Sequence, residues 1–209
     1  MDVKNVFIKP TSVGNLLTSL VEVQYNKKMQ KNIWDDSDWK HVADLENDYV
    51  GKIGENFMQS LCDVSNIWAE INGLITKQKG GGAGDGKIKG RTVEIKTARL
   101  GAGYPTFQHE LGENPWLADF MIFVDIAPSN FYISIFPNFT EEQYMSCCKC
   151  LPYFPTKSFC RRKKMGCFKL DTTIKINDTQ SEIENGNTFC WTSQRRIEDI
   201  GEFINRIIL

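Results

Sequence analysis

Asp85, Glu94 and Lys96 are the residues of this 209-residue chain whose types and spacing lend themselves most readily to chemistry. Two carboxylates and a lysine converging on one point supply a protein's share of phosphodiester hydrolysis. Oxygen ligands hold a hard divalent cation against the phosphate, a water is deprotonated, and charge growing in the transition state is offset. Magnesium suits such a site, because it takes one or two carboxylates and completes its octahedron with phosphate and water. Glu94 and Lys96 stand two apart in Thr92-Val93-Glu94-Ile95-Lys96-Thr97-Ala98, which alternates as a strand does, so both project to one face. Asp85 comes nine residues before Glu94, and Gly86 and Gly90 permit the tight return that sets it beside Glu94. Asp85 and Glu94 then hold the metal with help from the Ile95 carbonyl. Lys96 orients or deprotonates the attacking water and meets the developing phosphate charge. Asp2-Lys4 and Asp38-Lys40 repeat the acidic-x-Lys triplet but lack the strand, the preceding acid and the glycine-rich approach. The plain alternative for Glu94 and Lys96 is an exposed salt bridge of little worth.

Several elements must position these residues. The first 40 residues read as mostly helical, with Leu16, Leu17, Leu20 and Val23 at helical spacing. A second helix is expected from about Asp44 to Cys62, on an apolar stripe of Leu45, Tyr49, Val50, Ile53, Phe57 and Leu61. Ile67 to Ile75 reads as a strand and Lys79 to Gly90 as a glycine-rich loop. Phe120 to Ala127 and Phe131 to Phe136 are apolar strands joined by a Pro128-Ser129-Asn130 turn. A short helix begins at Thr140, and a last one runs from about Arg195 to Ile208. The class is α/β, or α+β: a mixed central sheet flanked by helices. We divide the chain into an N-terminal helical extension (1–43), a catalytic core (44–140), and a recognition segment with the C-terminal helix (141–209).

A net charge of −1 says nothing for nucleic acid on average, but its distribution does. Lys77 to Arg99 holds seven Lys or Arg against Asp85 and Glu94, and Lys157 to Lys175 holds seven against Asp171. Two basic segments on a neutral chain suit a protein that grips phosphate on one face. Lys157, Arg161, Arg162, Lys163, Lys164 and Lys169, in a basic loop, are the best candidates for reading DNA. No apolar run reaches the roughly 18 residues of a membrane span, and the start lacks a signal-peptide pattern. The expectation is a soluble, intracellular protein in the cytoplasm with access to DNA. Seven cysteines, an odd number without secretory context, argue against a disulfide framework. Cys147, Cys150, Cys160 and Cys167 form an alternative zinc set, but their irregular spacing favours free thiols.

Gly84-Asp85-Gly86, the hairpin-length gap and Val93-Glu94-Ile95-Lys96-Thr97 resemble the active-site motif of the PD-(D/E)XK nuclease superfamily, particularly type II restriction endonucleases. Gly84 stands where the family's name has proline. The resemblance spans roughly residues 44 to 137. It implies a restriction-endonuclease-like core, Mg²⁺ as cofactor, and hydrolysis of double-stranded DNA at a short specific sequence. It also implies a further glutamate on the preceding helix, which Glu55 matches by position. Lys87, Lys89, Arg99, Gln108 and His109 are then expected to contact DNA. The stretch from Thr106 to Trp116 leads into a helix near the duplex, with His109 most simply making a surface hydrogen bond. A symmetric duplex site is naturally read by a homodimer. The alternatives are a repair or recombination nuclease such as a junction resolvase, a DNA-binding module that does not cut, and a zinc-dependent adaptor.

Overall fold

The apolar runs of the sequence become the centre of a six-stranded mixed sheet. The computed structural model describes residues 13–28, 32–72, 84–101, 106–112, 116–146, 157–164, 167–174 and 187–209. Its strands are β1 (Ala69–Ile71), β2 (Gly86–Ile88), β3 (Arg91–Arg99), β4 (Phe107–Gly112), β5 (Phe120–Ile126), β6 (Phe131–Pro137), β7 (Lys157–Lys164), β8 (Cys167–Ile174) and β9 (Thr188–Trp191). The helices are α1 (Val13–Lys28), a 3₁₀ turn (Lys40–Asp44), α2 (Asn47–Val64), α3 (Glu141–Ser146) and α4 (Ile197–Ile207).

The large sheet runs β1-β2-β3-β5-β6-β9, antiparallel at every pairing except β3 with β5, which is parallel. A parallel pairing cannot be closed by a hairpin, so the chain must leave the sheet between these strands. It does so through β4, which belongs to a second, antiparallel sheet of order β4-β8-β7. Strand alternation then sorts the core into two layers. Val93, Ile95, Ile122, Val124, Ile133 and Ile135 pack against Met58, Leu61 and Cys62 of α2 and Ile200, Phe203 and Ile204 of α4. On the opposite face Met121, Phe123 and Phe136 pack against Leu111 of β4, Phe168 and Leu170 of β8, and Tyr144 of α3.

The expected α/β class with a mixed sheet flanked by helices is the one found, with corrections in detail. The region 79–90 is not all loop, because β2 lies within it. Residues 107–112 extend as β4 instead of leading into a helix, their burial alternating along the strand. The basic segment is not a loop either: β7 and β8 form an antiparallel pair from Lys157↔Ile174 to Lys164↔Cys167. On α2 the buried row is Val50, Gly54, Met58, Leu61 and Cys62, while Tyr49 and Ile53 are exposed. Gly54 turns this helix, because it lets the backbone approach β3 where no side chain fits; a Cβ there would collide with the Thr97 hydroxyl. The apolar residues of α1, Leu16, Leu17, Leu20 and Val23, all stand exposed. Among the described residues no helix is long and apolar enough to cross a membrane.

Candidate active site

The expected return between Asp85 and Glu94 is a hairpin. Ile88 faces Arg91 across a two-residue turn in which Lys89 and Gly90 take φ of 52° and 81°. Two successive left-handed residues make the type I′ turn that matches strand twist, and glycine carries the second at little cost. β2 stops at Gly86, opposite Val93. Beyond that point Asp85 takes over the edge of β3. Its N–H donates to the Val93 carbonyl at 2.7 Å, and its Oδ2 accepts the Ile95 N–H at 2.7 Å. A donor that a longer β2 would have taken is thus spent on orienting a carboxylate. Because a residue's N–H and C=O share one strand edge, the Ile95 carbonyl lies on the edge where Asp85 sits.

Glu94 and Lys96 project together, as their spacing requires, and form an ion pair of 2.6 Å. The Glu94 side chain is only 5% exposed and that of Lys96 23%. α2 brings Glu55 to the same group, held by Lys52 at 2.7 Å. The electrostatics record the convergence. Burial, then the Glu94 carboxylate and more weakly that of Glu55, push the Asp85 carboxyl up to about 6, against the opposing pull of the Ile95 N–H and Lys96. The charges of Glu94 and Lys96 on β3 and of Glu55 on α2 therefore all reach the Asp85 carboxyl.

Asp85, Lys96 and Glu55 line a cleft of about 670 Å³, and the buried Glu94 is linked to it through its ion pair with Lys96. The floor of the cleft is β3 from Ile95 to Arg99. One wall is α2, with Asn47, Asp48, Gly51 and Glu55, and the other is β4, with Gln108, His109 and Glu110. Arg99 is tied down by donating from Nη1 to the Leu45 carbonyl at 2.8 Å. Gln108 is exposed and lines the cleft. His109 is not the expected surface residue: its side chain is 0% exposed and its Nε2 lies 2.7 Å from Oδ1 of Asp125, which is equally buried. Direct contact with a phosphate is therefore closed to it in this arrangement. Lys87 pairs across to Thr92 on the face that carries Glu94 but does not line the cleft. Lys89 points the other way, donating to Asn205 of α4 at 3.3 Å. Lys157, Arg161, Arg162, Lys163 and Lys164 lie along β7 and Lys169 on β8, with Arg162 opposite Lys169. Of the cysteines in the zinc alternative, Cys147 and Cys150 lie outside the described residues, while Cys160 and Cys167 stand opposite Asp171 and Lys164.

Among the described residues no three acidic, histidine or cysteine side chains are grouped closely enough to hold a metal ion by themselves. What the notch offers is two carboxylates, Asp85 and Glu94, and one carbonyl, Ile95. That set is within what Mg²⁺ takes from a protein. The repulsion that raises Asp85 is also what a cation would relieve, so the donors fit the ion in charge and kind.

Sequence reasoning missed three residues here. Asp125 was hidden in an apolar strand, although a lone acid among Phe-Met-Ile-Phe-Val-Asp-Ile signals a buried partner. Thr97 fills the gap beneath Gly54, with its hydroxyl buried and without a hydrogen-bond partner. Glu110 follows Gln108 on the exposed side of β4, a consequence of alternation that reading the stretch as a helix lead-in concealed. Comparison with protein-family models, curated proteins and solved structures found no match.

Proposed function

We propose that this protein is a Mg²⁺-dependent nuclease that hydrolyses phosphodiester bonds of double-stranded DNA, with chemistry of the PD-(D/E)XK kind. One observation supports it. Glu94 and Lys96 come from a strand and Glu55 from a helix, yet all three act electrostatically on the Asp85 carboxyl, which lines an open cleft. A salt bridge placed for stability needs neither the buried second carboxylate nor the cleft.

In the proposed site Asp85, Glu94 and the Ile95 carbonyl would hold the ion. The chemistry that such an ion supplies is Lewis-acid neutralisation of the phosphoryl oxygens and a lowered pKa for bound water. Asp85 is held in place by the Ile95 N–H, so its second oxygen keeps a fixed aim. Lys96, partly open to the cleft, moves from Glu94 to the phosphate and offsets the charge that develops there. Glu55 orients water at the α2 side. Arg99 and Gln108, farther along the floor and wall, hold the flanking strand.

The basic β7–β8 pair favours a duplex, since the major groove admits a two-stranded ribbon. A two-fold dimer and a short specific site in the manner of type II restriction endonucleases complete the proposal. Purified protein incubated with plasmid DNA and Mg²⁺ should give discrete fragments that vanish with EDTA and with Lys96→Ala. A folded protein that leaves varied, unmethylated DNA intact would overturn the nuclease reading in favour of a DNA-binding module.

A further inference from the structure

Among the described residues the face of the large sheet turned to β4 and β8 is mostly apolar, with two buried polar pairs, Ser134–Thr188 within the sheet and His109–Asp125 between the sheets. Leu111, Met121, Phe123, Phe136, Phe168 and Leu170 close the interface, and beside them sits the His109–Asp125 pair, both side chains 0% exposed. Apolar faces are non-directional, and the backbone bridge that ties β4 to the end of β3, Leu100 to Phe107, fixes one end of that strand only. A buried polar pair adds little net stability, because desolvation offsets most of its attraction. What it adds is direction. Among the described residues the His109 ring has no hydrogen-bond partner at Nδ1, and its Nε2 is oriented by Asp125. Asp125 pairs with Ala98 across β5 and β3, and Phe123, 4.8 Å from the His109 ring, pairs with Lys96. The pair therefore bolts β4 to the floor directly over the stretch that carries Lys96, and the neighbour of His109 on β4 is Gln108, exposed in the cleft.

We infer that His109 and Asp125 are positioning residues, fixing the register of the β4 wall so that Gln108 meets the nucleic-acid strand held at Lys96. The inference rests on the nuclease reading and adds a determinant of substrate binding to it. The test is steady-state cleavage of an oligonucleotide duplex with Mg²⁺, alongside thermal melting. Replacing the pair by apolar groups, His109→Phe with Asp125→Leu, should leave Tm at or above wild type. Its KM should rise about tenfold with kcat within about twofold, because a wall displaced by a fraction of an ångström misplaces the strand. Gln108→Ala should raise KM similarly in the wild type and add little in the double variant. Asp125→Asn keeps an oxygen acceptor for Nε2, so its KM should stay within about twofold of wild type; should the double variant fail to fold, Asp125→Ser, too short to reach Nε2, should show the tenfold rise in its place, and an unaltered KM there overturns the assignment. A stable double variant with unaltered KM, or an Asp125→Asn protein with the tenfold rise, overturns the assignment. A wild-type protein that neither binds nor cuts the duplex overturns the nuclease reading itself, and the assignment with it.

Discussion

Two close side-chain pairs in this fold are nearly equal in length and unlike in setting. Lys96 and Glu94 are 2.6 Å apart on one strand, with the lysine partly open to the cleft. His109 and Asp125 are 2.7 Å apart on strands of different sheets, and neither side chain is exposed. An open pair can trade its partner for a ligand, because water and substrate reach it. A sealed pair cannot, so its hydrogen bond can only define geometry. Distance alone does not separate a reactive group from a structural one; access does.

The contrast is sharpest in single variants. Lys96→Ala should lower kcat/KM for duplex cleavage by about 10³-fold, while denaturant unfolding changes by no more than about 2 kcal/mol, since Lys96 is partly solvated already and Glu94 can take up a proton when its partner is gone. Asp125→Ala should behave in the opposite way, destabilising by about 3–5 kcal/mol as His109 loses its partner in the interior. Equal losses of stability in the two would break the comparison.

Asp85 stands between these cases, half-buried and strained by Glu94. Its carboxyl is raised from 3.8 to about 6 in the folded protein. Between about pH 4 and 6 the folded state keeps a proton that the unfolded chain has released, so stability falls as pH rises through this window. The cost is fully present at pH 7. Asp85→Asn should therefore raise Tm at pH 7 by roughly 5 °C, a gain on the order of 2 kcal/mol after screening, and lose it below about pH 4. Added Mg²⁺ should raise Tm of the wild type at pH 7 and leave that of Asp85→Asn unchanged. Lys52→Ala, which removes the exposed partner of Glu55, should shift stability by less than about 0.5 kcal/mol.

The parts of this molecule legible in the sequence are those where one physical signal dominates. Alternation in Thr92 to Ala98 placed β3, the apolar run at Phe120 placed β5, and the Pro128-Ser129-Asn130 turn placed the hairpin to β6. The juxtaposition of Asp85 with Glu94 followed from chain length and glycine. What misled was a signal split between two layers. β7 carries Lys157, Arg161, Arg162, Lys163 and Lys164 with few apolar residues between them, so it reads as loop. β4 alternates as Phe107, His109 and Leu111 against Gln108 and Glu110, but a histidine is a weak marker of an interior face. On α2 the buried row passes through Gly54, which no hydrophobicity count scores, so the apolar stripe reads through Tyr49 and Ile53 instead.

The excursion through β4 has a consequence for the order in which the chain acquires its properties. Glu94 finds Asp85 within one local hairpin, whereas β4 is held by β8, with Phe107 paired to Thr172 far along the chain. Loop closure over such a distance is slow compared with a two-residue turn. The notch that holds the acids is expected to be native early in folding, and the cleft wall only when β8 docks. During refolding, protection of the amide hydrogens of β2 and β3 should accordingly precede the return of cleavage, by the time the second sheet takes to close.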